Sequence, residues 1–197
     1  MSGAVATWRA AERRRLRAAR LAVPADVRRR AAEVVARRLE ERLQGIGEVV
    51  ASLYWPFGGE LDLRPLMHAL HASGTRVALP VVEAPARPLI FRAWTPEARL
   101  VPGVWRIPVP ADGEVLVPSV VVAPLLGYDG ACYRLGYGGG FFDRTLARLA
   151  AEGRAPLAIG VAHSGARIPT IRPQPHDVAM DAIVTESEEP EAPARRA

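Results

Sequence analysis

The chain has 197 residues, 49% hydrophobic and 24% charged, the length and make-up of one soluble globular domain able to bury a core. No stretch approaches the roughly 20 uninterrupted apolar residues of a membrane span, and the N-terminal MSGAVATWRAAERRRLRAAR carries no apolar segment behind its charges, as a secretory signal would. All 26 basic residues are arginine, so a Walker lysine, a pyridoxal Schiff base and a lysine nucleophile are excluded, and 12 of those arginines crowd into residues 1–45 against five acidic residues. The single cysteine, Cys132, cannot form an intramolecular disulfide, which points to a reducing cytoplasm. Four scattered histidines do not make a structural zinc site. The basic segment is either an arm for nucleic acid or an amphipathic helix whose charged face is solvated or reaches an anionic ligand.

In chain order, residues 8–43 read as helix, with Leu16, Val27, Val34, Val35, Leu39 and Leu43 at three- and four-residue steps among alanine and arginine. Pro24 divides it in two, because proline disfavours helix in the residue before it, and Gly45 and Gly47 end the second half. Residues 48–55 form a short apolar, β-branched run predicted as a buried strand, and Pro56-Phe-Gly-Gly59 turns the chain. Asp62 is placed to cap a helix over 63–72, and 76–82 is a second strand, so the region predicts a βαβ unit with parallel pairing. Residues 89–94 are a third, more amphipathic strand. The stretch 95–118, broken by Pro96, Pro102, Pro108, Pro110 and Pro118, reads as irregular. The run 119–126 is the most apolar and is predicted as the central strand; a loop over 127–140, a helix from Phe141 to about Glu152, and strands over 156–162 and 181–185 follow. The expected architecture is a three-layer α/β/α sandwich with a mostly parallel sheet in a single domain over 1–186, and a tail over 187–197 whose composition reads as disordered.

The loop from Tyr133 to Arg144 carries the chemistry. Gly136, Gly138, Gly139 and Gly140 lie between the most apolar strand and a helix, where open α/β sheets bind ligands. Amide N–H groups freed by glycine at a helix N-terminus make an anion site, and Arg134 and Arg144 flank it as a candidate phosphate clamp. Asp143 could cap the helix or hold a magnesium ion. A flexible turn with a capping aspartate stays open on glycine content alone.

The string Arg134-Leu-Gly-Tyr-Gly-Gly-Gly-Phe-Phe-Asp-Arg144 closely resembles the R-L-G-x-G-x-G-Y-Y-D signature of the 5-formyltetrahydrofolate cyclo-ligases, also called methenyltetrahydrofolate synthetases. Further pieces fall in that family's order over about residues 9–186: the basic N-terminal helix, Tyr54-Trp-Pro-Phe-Gly-Gly-Glu60-Leu-Asp62, Val77-Ala-Leu-Pro-Val81, and His176-Asp-Val-Ala-Met-Asp-Ala-Ile-Val-Thr-Glu186. The resemblance implies an ATP-driven ring closure of 5-formyltetrahydrofolate to 5,10-methenyltetrahydrofolate, with ADP and phosphate released and ATP and Mg²⁺ as cofactors. It implies ATP contacts from Arg9, Arg13 and the loop residues Arg134, Leu135, Gly136, Tyr137, Gly138, Gly139, Gly140, Phe141 and Phe142. Folate contacts are implied for Trp55, Glu60, Tyr137, Gly138, Gly139, Gly140 and Phe141, catalytic roles for Arg134 and Tyr137, and magnesium ligation for Asp143 and Asp177. The sequence departs from the family pattern at Arg9, where the family has lysine, and at Phe141-Phe142, which keep the aromatic faces of Tyr-Tyr and lose both hydroxyls. The implied enzyme is cytoplasmic, monomeric and a binder of small molecules. Two rivals remain: a paralogue that binds folate or nucleotide without turnover, and a nucleic-acid-binding protein led by the arginine-rich helices, whose arginines are not interleaved with aromatic residues.

Overall fold

The structure, a computed structural model, describes residues 2–44, 46, 49–187 and 190; Gly45 and Gly47 and nearly all of the tail beyond 187 lie outside them. Helix α1, Ser2–Ala22, and helix α2, Ala25–Leu43, are separated at Pro24 as the sequence requires, with α1 starting six residues before the expected Trp8. The remaining elements are β1 Val50–Ser52, α3 Arg64–Ala72, β2 Arg76–Val81, β3 Ile90–Trp94, β4 Leu100–Pro102, β5 Pro108–Pro110, β6 Val115–Leu116, β7 Val120–Pro124, β8 Gly127–Tyr128, β9 Arg134–Leu135, α4 Phe141–Ala151, β10 Leu157–Val161 and β11 Ala182–Val184.

Seven strands form one sheet in the order β11-β10-β7-β1-β2-β3-β6. The first five pair in parallel, and β3 and β6 are added antiparallel at the edge. The sheet is thus mostly parallel, as expected: β3 follows β2 without a crossover helix, and a short link permits only an antiparallel partner. Strand β7 is the middle of the five parallel strands. Its residues alternate between faces, Val120 and Val122 packing with α2 and α3 and Val121 and Ala123 packing with α4, which gives the three layers.

Five local expectations are corrected. Among the described residues, the strand expected over 48–55 is ordered in the ladder only at Val50–Ser52, because Tyr54 and Trp55 leave it to build a pocket wall; residue 48 lies outside them. The stretch 95–118 is not irregular: β4 and β5 pair as a hairpin and β6 joins the main sheet, prolines being tolerated on such edge strands. The expected loop over 127–140 contains the β8–β9 hairpin, closed by Asp129, whose carboxylate accepts from the amides of Ala131 (3.1 Å), Tyr133 (3.2 Å) and Ile171 (2.9 Å). At α4, Asp143 is not the cap: Gly140, at φ +63°, holds that position. At α3 the cap position is held by Leu63, while Asp62 accepts the Arg64 amide at 3.0 Å. Helix α1 docks on the β8–β9 hairpin through Leu16, which packs with Leu126, Leu135, Ile168 and Ile171, and this brings its inward face to the carboxyl end of the sheet.

Candidate active site

The chain leaves β1 toward β2 on one side and β7 toward β10 on the other, so the strand order reverses between β1 and β7. A crevice at that reversal is where open α/β sheets take ligands. One pocket lies there, lined by Tyr54 and Trp55 beyond β1, Leu79 and Pro80 of β2, Pro124 at the end of β7, and the glycine loop. The site residues that the family resemblance implies all border it: Arg9 and Arg13 from α1, Trp55 and Glu60, residues 134–142, Asp143 and Asp177. Arg144, expected as half of a clamp, does not; it turns back, donating to the Gly139 carbonyl at 2.5 Å and stacking 5.3 Å from the Phe141 ring centroid.

One half of the pocket is lined by unpaired amides and arginines. Among the described residues, the amide N–H groups of residues 136–140 have no backbone or side-chain acceptor. Such free amides preceding a helix N-terminus form a concavity of positive potential. Gly138 sits at φ +99°, a conformation L side chains rarely adopt, and a Cβ there would lie 3.4 Å from the Arg13 guanidinium carbon. Arg13 donates from Nε to the Gly136 carbonyl at 2.8 Å and keeps both terminal nitrogens free of hydrogen bonds among the described residues. Burial and the neighbouring Arg9 charge push its value down, yet arginine stays cationic. Arg134 lies beneath the loop with 5% of its side chain exposed, paired with Asp143 at 2.7 Å and packed 5.3 Å from the Phe142 ring centroid. Its Nε–H is buried without a partner.

Arg9 is engaged differently from Arg13. Its guanidinium donates to the Ile171 carbonyl (3.0 Å), the Arg172 carbonyl (2.9 Å) and both oxygens of Asp177 (3.2 and 2.5 Å), so it clamps α1 to the 171–177 loop. Each side chain of the pair is 9% exposed. Burial alone would raise the Asp177 carboxyl, but the Arg9 hydrogen bonds and charge and the Gln174 amide outweigh it and hold the group below its ordinary value. A carboxyl lowered on folding contributes stability that is complete above its unfolded value, about 3.9, and is lost as pH falls through the lower folded value. Asp177→Asn is therefore expected to lower stability at pH 7 by about 3 kcal/mol, as for a broken buried pair, and to flatten the acid limb of stability against pH measured by urea unfolding. Unchanged stability and an unchanged acid limb would contradict the assignment.

The facing half of the pocket is a buried carboxylate network. The Pro56-Phe-Gly-Gly59 turn folds back so that the Phe57 amide donates to Glu60 Oε2 at 2.9 Å, and the Tyr137 hydroxyl donates to Oε1 at 2.9 Å. Burial pushes Glu60 above the usual carboxylate range, with Arg20, the Phe57 amide and Tyr137 pulling the other way. Burial and the Glu60 charge push Tyr137 up to about 12, so it stays a protonated donor at neutral pH. Trp55 lines the same pocket, with the Arg64 guanidinium 5.3 Å from its ring centroid.

Sequence reasoning missed three contributors. Arg20 reaches Glu60 and Tyr137 from the last turn of α1. Residues 9, 13, 16 and 20 are spaced four, three and four apart, one helix face, and Leu16 marked that face as inward. Trp105, 54% exposed and at φ +56°, sets its ring 6.0 Å from Tyr137 at the pocket mouth; a lone tryptophan in a proline-rich stretch was its only signal. Asp129, which ties the hairpin under the glycine loop, carried none.

A doubly wound sheet whose crevice sets an anion cradle against a buried carboxylate defines a ligand-binding α/β domain of the enzyme type. Residues 5–186 match the model of the 5-formyltetrahydrofolate cyclo-ligase family, and the chain belongs to that family. It is 34% identical to the 5-formyltetrahydrofolate cyclo-ligase of Escherichia coli K12 over 142 residues, 69% of this chain and 77% of that one. The Mycolicibacterium smegmatis protein of the same name is 33% identical over 178 residues, covering 84% of this chain and 87% of its own. The solved 5,10-methenyltetrahydrofolate synthetase of Aquifex aeolicus superposes with a TM-score of 0.77 at 26% identity, over 96% of this chain and 95% of its own. That of Mycoplasma pneumoniae shares the fold, with a TM-score of 0.74 at 21% identity over 91% and 99%.

Proposed function

We propose that this chain catalyses the ATP-driven cyclisation of 5-formyltetrahydrofolate to 5,10-methenyltetrahydrofolate, releasing ADP and phosphate. The observation that carries the reading is the opposition, in one pocket, of a loop of unpaired amides beside Arg13 and Arg134 to the Glu60–Tyr137 pair. The formyl oxygen attacks the γ-phosphorus as its bond to ADP breaks, giving an imidate phosphate. Nitrogen 10 of the folate then bonds to the formyl carbon and loses its proton, while the carbon–oxygen bond breaks and phosphate leaves. Phosphoryl transfer of this kind asks the protein for positioning and charge neutralisation rather than a nucleophile. A chain without lysine meets that demand with amides and arginines.

In this reading residues 136–140 cradle the phosphates, Arg13 supplies free guanidinium nitrogens, and Arg134 stabilises charge on the transferred group. Leu135, Phe141 and Phe142 wall the nucleotide side, and Arg9 holds α1 in place beside it. Trp55 and residues 137–141 hold the pterin, with Glu60 accepting its N–H groups. Because Phe141 and Phe142 carry no hydroxyl, the Tyr137 phenol is the one hydroxyl of residues 134–142 at the folate half, and its proton goes to Glu60.

A magnesium ion fits the donor set. Each Asp143 oxygen accepts one hydrogen bond, from Arg134 or from the Val178 amide, and Asp177 Oδ1 accepts one from Arg9, which leaves acceptor lone pairs on both carboxylates facing the pocket. Magnesium typically keeps water and takes one or two carboxylates plus substrate phosphates, so Asp143 and Asp177 would hold it. When bound it supplies neutralisation of the phosphate charge. The working unit is the monomer acting on small molecules in the cytoplasm, where the buried thiol of Cys132 stays reduced.

Glu60→Gln tests the folate half. The variant is expected to raise the folate KM at least about tenfold, since one hydrogen bond to a charged group is worth about 1.5–3 kcal/mol, with the ATP KM unchanged. Steady-state kinetics with each substrate varied reads this directly, and equal effects on both substrates would refute the placement.

A further inference from the structure

We propose that Arg20 is the positioning residue of the folate half of the pocket: from the last turn of α1 its guanidinium sets a positive charge opposite the Glu60 carboxylate and fixes the direction in which the Tyr137 hydroxyl donates. The inference rests on the folate reading above and extends it to a residue that does not border the pocket itself. The Arg20 and Glu60 side chains are 7% and 6% exposed, with Nη1 3.8 Å from Oε1. Nε donates to the Gly58 carbonyl at 3.0 Å, which anchors the head to the turn that carries Glu60. Nη2 donates to the Tyr137 hydroxyl, and the guanidinium carbon lies 5.4 Å from that ring's centroid.

A guanidinium has five donors and no acceptor, so the Tyr137 oxygen must accept from Arg20. Its own proton then has one acceptor in reach, Glu60 Oε1 at 2.9 Å. One arginine thus sets the orientation of one pocket residue and the charge of the other. Nη1 is buried with no hydrogen bond, so its contribution to Glu60 is charge alone, and in a buried setting that charge is weakly screened.

The other groups facing Glu60 do not replace it. Phe57 contributes an amide at 2.9 Å. Tyr54, beyond β1, is neutral and spends its hydroxyl on the Leu61 carbonyl at 2.9 Å. Asp62 is acidic and already paired with Arg64 at 2.6 Å. His163, beyond β10, interacts with the Gly59 backbone, and burial lowers its value, the charges of Arg20 and Arg28 adding to that, so it is neutral at pH 7. Arg20 is the cation whose charge offsets part of the burial of Glu60.

Arg20→Gln and Arg20→Lys test the proposal, with Glu60→Gln as reference. Without any substrate, infrared difference spectra of Arg20→Gln are expected to show a protonated-carboxyl band, absent in the wild type at the same neutral pH and absent again in Arg20→Gln/Glu60→Gln. In turnover, Arg20→Gln is expected to raise the folate KM more than tenfold with the ATP KM within twofold, and to move the acid limb of folate kcat/KM upward by at least one pH unit. Arg20→Lys keeps the charge and lacks the fork, so its acid limb is expected to return toward wild type while its folate KM stays raised. Glu60 ionised in Arg20→Gln with the acid limb unmoved overturns the proposal. So does a wild-type folate KM in Arg20→Lys, which also decides the matter should the glutamine variant not fold. If the wild type itself turns over no 5-formyltetrahydrofolate, the functional reading fails while the infrared band still judges Arg20.

Discussion

Gly138→Val is expected to abolish turnover and to weaken nucleotide binding by more than about tenfold, or about 1.4 kcal/mol. Two features set the size of the effect. The residue's φ of +99° is strained for any L side chain, and a Cβ would sit 3.4 Å from the Arg13 guanidinium, so valine methyls must push that arginine off the cradle. Loop strain of this kind costs about 1–3 kcal/mol, which a folded domain survives. Melting with and without Mg-ATP separates the two losses, because a ligand stabilises only a fold that still binds it. The variant is expected to melt a few degrees lower and to show no nucleotide-induced shift. A wild-type shift would mean that the loop is not the phosphate cradle.

Arg134→Met carries the second large effect, on stability and chemistry together. It leaves Asp143 without its buried partner, a loss of about 3–5 kcal/mol, and removes a cation packed against the loop, for which phosphoryl-transfer enzymes lose about 10³-fold or more in kcat. The two contributions are separable. Arg134→Met/Asp143→Asn no longer buries an unpaired charge and is expected to recover most of the stability, because the introduced side-chain carbonyl can still accept from the Val178 amide, while turnover stays lost. Recovery of turnover in the double variant would show that neither the Arg134 charge nor the Asp143 carboxylate takes part in the chemistry.

The sequence carried the parallel core and the glycine loop most clearly, for physical reasons. Residues 119–126 are β-branched and apolar without alternation, the mark of a strand covered on both faces, and β7 is covered by α2 and α3 on one side and α4 on the other. Four glycines next to a helix start are costly to order, so their presence pointed to backbone that something must approach. What stayed hidden depended on partners far along the chain. Strands β4 and β5 are three residues each and proline-bearing, and their pairing exists only through one another. The antiparallel direction of β3 follows from the link to β2 rather than from its residues. Arg9 and Asp177 meet across 168 positions and Arg20 and Tyr137 across 117, so neither contact is legible locally. The basic segment became legible in the same way: of six arginines in α1, Arg9, Arg13 and Arg20 turn inward to the site, as one face of an amphipathic helix.

The central claim is that the pocket couples ATP cleavage to closure of the folate ring. A single spectrophotometric run tests it: purified protein with ATP, Mg²⁺ and 5-formyltetrahydrofolate, followed by the near-ultraviolet absorbance of the methenyl product with ADP quantified at the end point. Absorbance growth that requires all three reactants and matches ADP one to one is the expected result. Saturable 5-formyltetrahydrofolate binding with no absorbance growth, or ADP formed equally fast without the folate, would contradict it.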